Sequence, residues 1–109
     1  MPQYPLNGMN STYSTPGGIL SRLNLAAGST LVDNNPPGRV VRLCVNVAGT
    51  AGTFAVYDSA TVGGIGAANL MWQGAATTPQ GTVIDLEFPY FNGLVVTVPT
   101  TGVVSVSYI

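Results

Sequence analysis

The chain has 109 residues, of which 3 are Lys or Arg, 4 are Asp or Glu and none is His, for a formal net charge of −1. Soluble domains average about 25% charged residues, whereas this one carries 6%. The scarcity excludes a phosphate-neutralising nucleic-acid binder and a polybasic membrane-surface protein, and it leaves a Ser or Thr nucleophile without its ordinary activating base.

The first elements are turns. Residues 1–18 form an extended arm, because Pro2, Pro5, Asn7-Gly8, Pro16 and Gly17-Gly18 break every regular pattern. Tyr4, Leu6, Met9 and Tyr13 give that arm apolar handles, and at ~3.3–3.6 Å per residue it reaches roughly 60 Å when extended. The arm has neither a basic n-region nor an apolar h-region, so a chain made and used in the cytosol, or assembled there, is expected.

From Ile19 the pattern is strand and turn. Ile19 to Leu25 alternates loosely, and Thr30 to Val32 ends at the loop Asp33-Asn34-Asn35-Pro36-Pro37-Gly38. Val40 to Val47 is the clearest strand, with Val41, Leu43, Val45 and Val47 on one face and Val40, Arg42, Cys44 and Asn46 on the other. Ala48 to Gly52 turns the chain into Thr53–Asp58, so residues 39–58 read as a hairpin. A Gly/Ala-rich loop follows, then a short strand at Leu70–Gln73 and an alternating one at Thr82–Phe88. Asn92-Gly93, a strong hairpin dipeptide, leads into Leu94–Val98, and Val103–Ile109 closes the chain.

These segments predict an all-β fold of about eight short antiparallel strands in a jelly-roll-like sandwich, residues 19–109 being a single domain. The abundance of Val, Thr, Gly and Pro agrees with that class.

Candidate chemistry is thin. Asp85 and Glu87 share one strand face by spacing, and Asp58 would complete a conceivable calcium set, but a solvent-facing edge is the expected reading. Cys44 is the single cysteine and falls in an apolar strand, where a buried inert thiol is expected. Gly64-Ile65-Gly66 lacks the third glycine and the long helix of a dinucleotide site. Asn10-Ser11-Thr12 matches a glycosylation sequon by chance. Tyr57, Trp72, Tyr90 and Phe91 suggest a sugar-stacking platform, with core or interface packing as the default. Arg39 and Arg42 open the clearest strand; they either pair with Asp33, Asp85 or Glu87 or anchor a neighbouring subunit. No cofactor and no metal site is expected.

Several segments carry a resemblance. They are Gly38-Arg39-Val40-Val41, Tyr57-Asp58-Ser59 before the Gly/Ala loop, Asn92-Gly93-Leu94-Val95-Val96 and Val104-Ser105-Val106-Ser107-Tyr108. Over Gly38–Ile109 the chain resembles small virion proteins of tailed bacteriophages, of the cement or decoration type. The resemblance implies a jelly-roll-like protein on the outer capsid lattice, often a dimer or trimer, that clamps neighbouring major capsid proteins.

The expected function is therefore a structural virion subunit, not an enzyme, assembled in the host cytoplasm and located at the capsid surface. Its expected partners are the major capsid protein and itself, as homodimer or homotrimer, with no nucleic acid and no membrane. The assembly-interface candidates are Tyr4, Leu6, Met9, Tyr13, Arg39, Arg42, Tyr90 and Phe91. The alternatives are a tail, fibre or head-spike module, or a carbohydrate-binding β-sandwich module.

Overall fold

The structure is a computed structural model that describes residues 20–109. The expected arm, with Tyr4, Leu6, Met9 and Tyr13, lies outside the described residues. Eight strands follow: β1 (Leu20–Leu25), β2 (Gly28–Asp33), β3 (Gly38–Val47), β4 (Thr53–Asp58), β5 (Leu70–Ala75), β6 (Val83–Tyr90), β7 (Leu94–Val98) and β8 (Val103–Tyr108). They form two four-stranded antiparallel sheets, one ordered β1-β8-β3-β6 and the other β2-β7-β4-β5.

The pairing is nested. β1 pairs with β8, β2 with β7, β3 with β6 and β4 with β5. This is one long antiparallel ribbon rolled up so that alternate pairs fall in opposite sheets, which defines a jelly roll. The two remaining ladders, β3–β8 and β4–β7, stitch the roll together.

Two expected hairpins are corrected by this topology. β3 and β4 are consecutive but lie in different sheets, so residues 39–58 are not a hairpin. β3 already has β6 and β8 on its two sides, and Ala48–Gly52 carries the chain across the ~10 Å between packed sheets. Asn92-Gly93 likewise joins β6 to β7 across the sandwich. A turn dipeptide reverses the chain but does not decide which sheet the next strand enters.

The core lies between the sheets. Leu43, Val45, Val104 and Val106 meet Phe54, Val56, Leu94 and Val96, all fully or almost fully buried. Along β8 the expected alternation holds, with Val104, Val106 and Tyr108 buried. Along β3 it fails at both ends. Against β8, the step from Val40 to Arg42 matches a single residue, and so does the step from Val45 to Val47. Each extra residue is a bulge, and each bulge shifts the phase of the side chains. Val40 thus joins the core, and Val47 becomes exposed instead of buried.

Cys44 is also corrected. It pairs with Ser105 and Val83 on the outer side of its sheet and is half-buried. The neighbours it alternates with, Leu43 and Val45, take the core positions. The thiol should therefore react with a maleimide in the native state without denaturant. Labelling only at the rate of global unfolding would contradict this placement.

Candidate functional site

The candidate site is the end of the sandwich where β2, β4 and β6 finish, because two of the four acids, Asp33 and Asp58, hold it together. Tyr90, the last residue of β6, is fully buried. Its hydroxyl donates a hydrogen bond to Oδ2 of Asp33, the last residue of β2 in the opposite sheet. Asp33 Oδ1 accepts from the Asn35 N–H at 3.1 Å. Tyr90 therefore straps one sheet to the other. Burial raises its pKa well above the usual tyrosine value, and the hydrogen bond and charge of Asp33 add to the rise.

The strap needs a glycine opposite. Gly38 pairs with Tyr90, and a Cβ on it would lie 2.5 Å from the Tyr90 Cζ and 2.6 Å from the Ile109 carbonyl oxygen.

A second carboxylate grips the next three residues. Asp58 Oδ1 accepts from the N–H groups of Phe91 at 3.1 Å, Asn92 at 2.8 Å and Gly93 at 3.3 Å, and Oδ2 accepts from Phe91 at 3.1 Å. The Ser59 N–H donates to the Gly93 carbonyl at 3.1 Å. Turn N–H groups bonded to a carboxylate are charge-assisted contacts. They turn the β6–β7 corner into the other sheet and hold it rigid. Phe91 stands on that corner with its side chain largely exposed.

The sequence candidates separate accordingly. Phe91 is on the surface. Tyr90 is corrected as an interface residue, since it is spent inside the fold. Arg39 is exposed, and its backbone pairs with that of Ile109. Arg42 Nε donates to Asp85 Oδ1 at 2.9 Å, the one ion pair among the described residues. Both partners are substantially exposed, so Arg42→Ala should change stability by less than about 1 kcal/mol in a denaturant titration.

The conceivable calcium set does not assemble, in keeping with the expected solvent-facing edge. Asp58 is in the sheet opposite Asp85. Asp85 and Glu87 are both exposed on β6, while Ile84 and Leu86, with which they alternate, pack against the core, so the two acids do share the solvent-facing side. Among the described residues no three His, Cys, Asp or Glu side chains group to hold a metal ion.

The aromatic platform does not assemble either. Trp72 is packed against the core, with its ring across Gly74, where a Cβ would lie 2.6 Å away. Tyr57 alternates with core residue Val56 and so lies on the other side of its sheet. Val62–Gly64 and Ala67–Asn69 are single 3₁₀ turns, Thr61 Oγ1 accepting from the Gly64 N–H and Asn69 Oδ1 from the Gly66 N–H.

The carboxylate straps were missed in the sequence. The available signal was an acid at the last position of two strands, Asp33 and Asp58, in a chain with 4 acids. What the corner offers is the exposed Phe91 side chain on a turn whose N–H groups are bonded to Asp58. Compared with family models, with curated proteins and with solved structures, the chain has no match.

Proposed function

We propose that the chain is a structural virion subunit, a capsid cement or decoration protein that binds the outer face of the major capsid protein lattice and stabilises the shell through buried apolar contacts. The observation that carries this reading is where the charges go. Asp33 and Asp58 hold the fold's end together, and Arg42 and Asp85 hold each other. Arg22, Arg39 and Glu87 are the charged residues left over. The rest of the exterior is neutral, and Leu23, Phe88 and Phe91 are exposed. A neutral surface with apolar projections associates readily, and a rigid Phe anchor forfeits little entropy on docking.

Docking of this kind favours the assembled shell by mass action. Particles stripped of the protein should rupture at a lower temperature than complete ones, and adding it back should restore them. Unchanged heat resistance would count decisively against the proposal. Copy number separates the nearest rival, since a shell protein is present many times per particle and a tail or fibre module only a few.

A further inference from the structure

β1 and β6 are the two edges of the same sheet. Five of the seven large apolar side chains exposed among the described residues sit on these edges or the corner after β6: Leu20 and Leu23 on one side, and Val83, Phe88 and Phe91 on the other. Leu23 and Phe91 are both 68% exposed. Each edge also carries one exposed charge without an ion-pair partner among the described residues, Arg22 on β1 and Glu87 on β6. The signs are opposite. Arg39, the third such charge, lies on the inner strand β3 and belongs to neither edge.

The two edges also match in height and direction. Leu20 pairs with Tyr108, Tyr108 with Val40 and Val40 with Phe88, so Leu20 and Phe88 end one row across the sheet. Arg22 ends the row that runs through Val106 and Leu43 to Ile84, next to Asp85. The successive ladders are antiparallel, so β1 and β6 run in opposite directions. A rotation about an axis along the strands keeps every height. It brings β1 of one copy antiparallel beside β6 of the next, Leu20 level with Phe88 and Arg22 level with Ile84, three residues along β6 from Glu87.

We propose that this protein self-associates head to tail through these edges. Leu20 and Leu23 of one copy pack on Phe88 and Phe91 of the next, and Arg22 pairs with Glu87. The bulge at Glu87 and the missing N–H of Pro89 interrupt β6 as a ladder template, so the contact is made by side chains. A heterologous contact of this kind closes into a ring when the rotation allows. The occupant is a second copy because the complementary surface is the molecule's own opposite edge. The inference goes beyond the proposed function and does not depend on it.

The test uses the purified full chain without any particle, with mass measured by sedimentation velocity and native mass spectrometry over a concentration series. The wild type should assemble beyond the monomer. Arg22→Glu and Glu87→Arg should each weaken assembly about tenfold or more, since both place like charges face to face. The double variant R22E/E87R should recover most of the loss. Leu23→Ser should weaken assembly as well. All these side chains are exposed, so thermal unfolding followed by circular dichroism should show folded variants. A wild type that stays monomeric throughout, an oligomer indifferent to both reversals, or a double variant no better than the singles would each overturn the proposal. A chain that assembles this way yet leaves particle stability unchanged would instead sink the proposed function and leave this inference standing.

Discussion

Tyr90→Ala should destabilise the fold by about 3–5 kcal/mol, the range for removing a large buried aromatic ring. The melting temperature should fall by roughly 10 °C or more, given ~4–8 °C per kcal/mol in a domain of about 100 residues. The ring fills the space over Gly38 and its hydroxyl is the strap to Asp33, so the truncation opens a cavity and removes the strap together. Tyr90→Phe separates the two contributions. It keeps the ring and removes only the hydroxyl, and a hydrogen bond to a charged acceptor is worth about 1.5–3 kcal/mol. The same pair sets a pH dependence. Tyr90 in the fold holds its proton above the ordinary tyrosine value of 10.0, because burial and Asp33 disfavour the phenolate. Above that pH the unfolded chain binds fewer protons than the native one. Stability from Tyr90 is therefore fully present below the unfolded value and declines as pH rises past it. Urea titrations should show this alkaline loss in the wild type and a smaller one in Tyr90→Phe. Equal alkaline slopes, or a Phe variant as stable as wild type, would mean that the strap does not hold the sheets together.

Gly93→Ala, on the β6–β7 corner, should cost about 2–4 kcal/mol when overpacking and backbone strain are combined. Gly93 has φ of 158°, and an added Cβ would strike the Ser59 carbonyl oxygen and lie 3.1 Å from both the Ala60 Cα and the Asp33 carbonyl oxygen. All three are backbone atoms that flank the Asp33 and Asp58 anchors, so they cannot yield without loosening those anchors. Gly28→Ala is the control. Its φ of 115° is as unfavourable, but nothing lies within 4 Å of the new Cβ. It should lose only the strain, about 1–2 kcal/mol. Chemical denaturation of both variants measures the difference directly. If they lose equally, close packing at the corner is not what makes residue 93 a glycine.

Both predictions act on the end of the molecule that the sequence describes least well. Phe91 stood out in the sequence as an aromatic beside a turn, and it is the exposed residue there. Tyr90, its neighbour, looked equivalent and is the opposite, because one residue further back along β6 the side chain points between the sheets. In the sequence Asp33 is only a possible partner for an arginine and Asp58 only a conceivable calcium ligand. Their roles depend on residues 57 positions away for Asp33 and 33 to 35 away for Asp58, and no local pattern carries that distance. In the sequence Asp85 is one of three possible acid partners for Arg42, beside an intersubunit role, and the β3–β6 register brings the two together.

The sequence by itself determined the eight strands, their order, their alternating apolar positions and a surface nearly empty of charge. These are properties of short segments, where side-chain period and turn chemistry act within a few residues. Only the tertiary structure decided which sheet each strand joins, where bulges swap Val40 inward and Val47 outward, and how two carboxylates close one end. It also decided that Arg22 and Glu87 stand on opposite edges of one sheet. The physical reason is that strand pairing is a non-local choice. Only β4 pairs with its successor here, and the rolled arrangement buries the apolar faces of both sheets against each other while still satisfying the backbone.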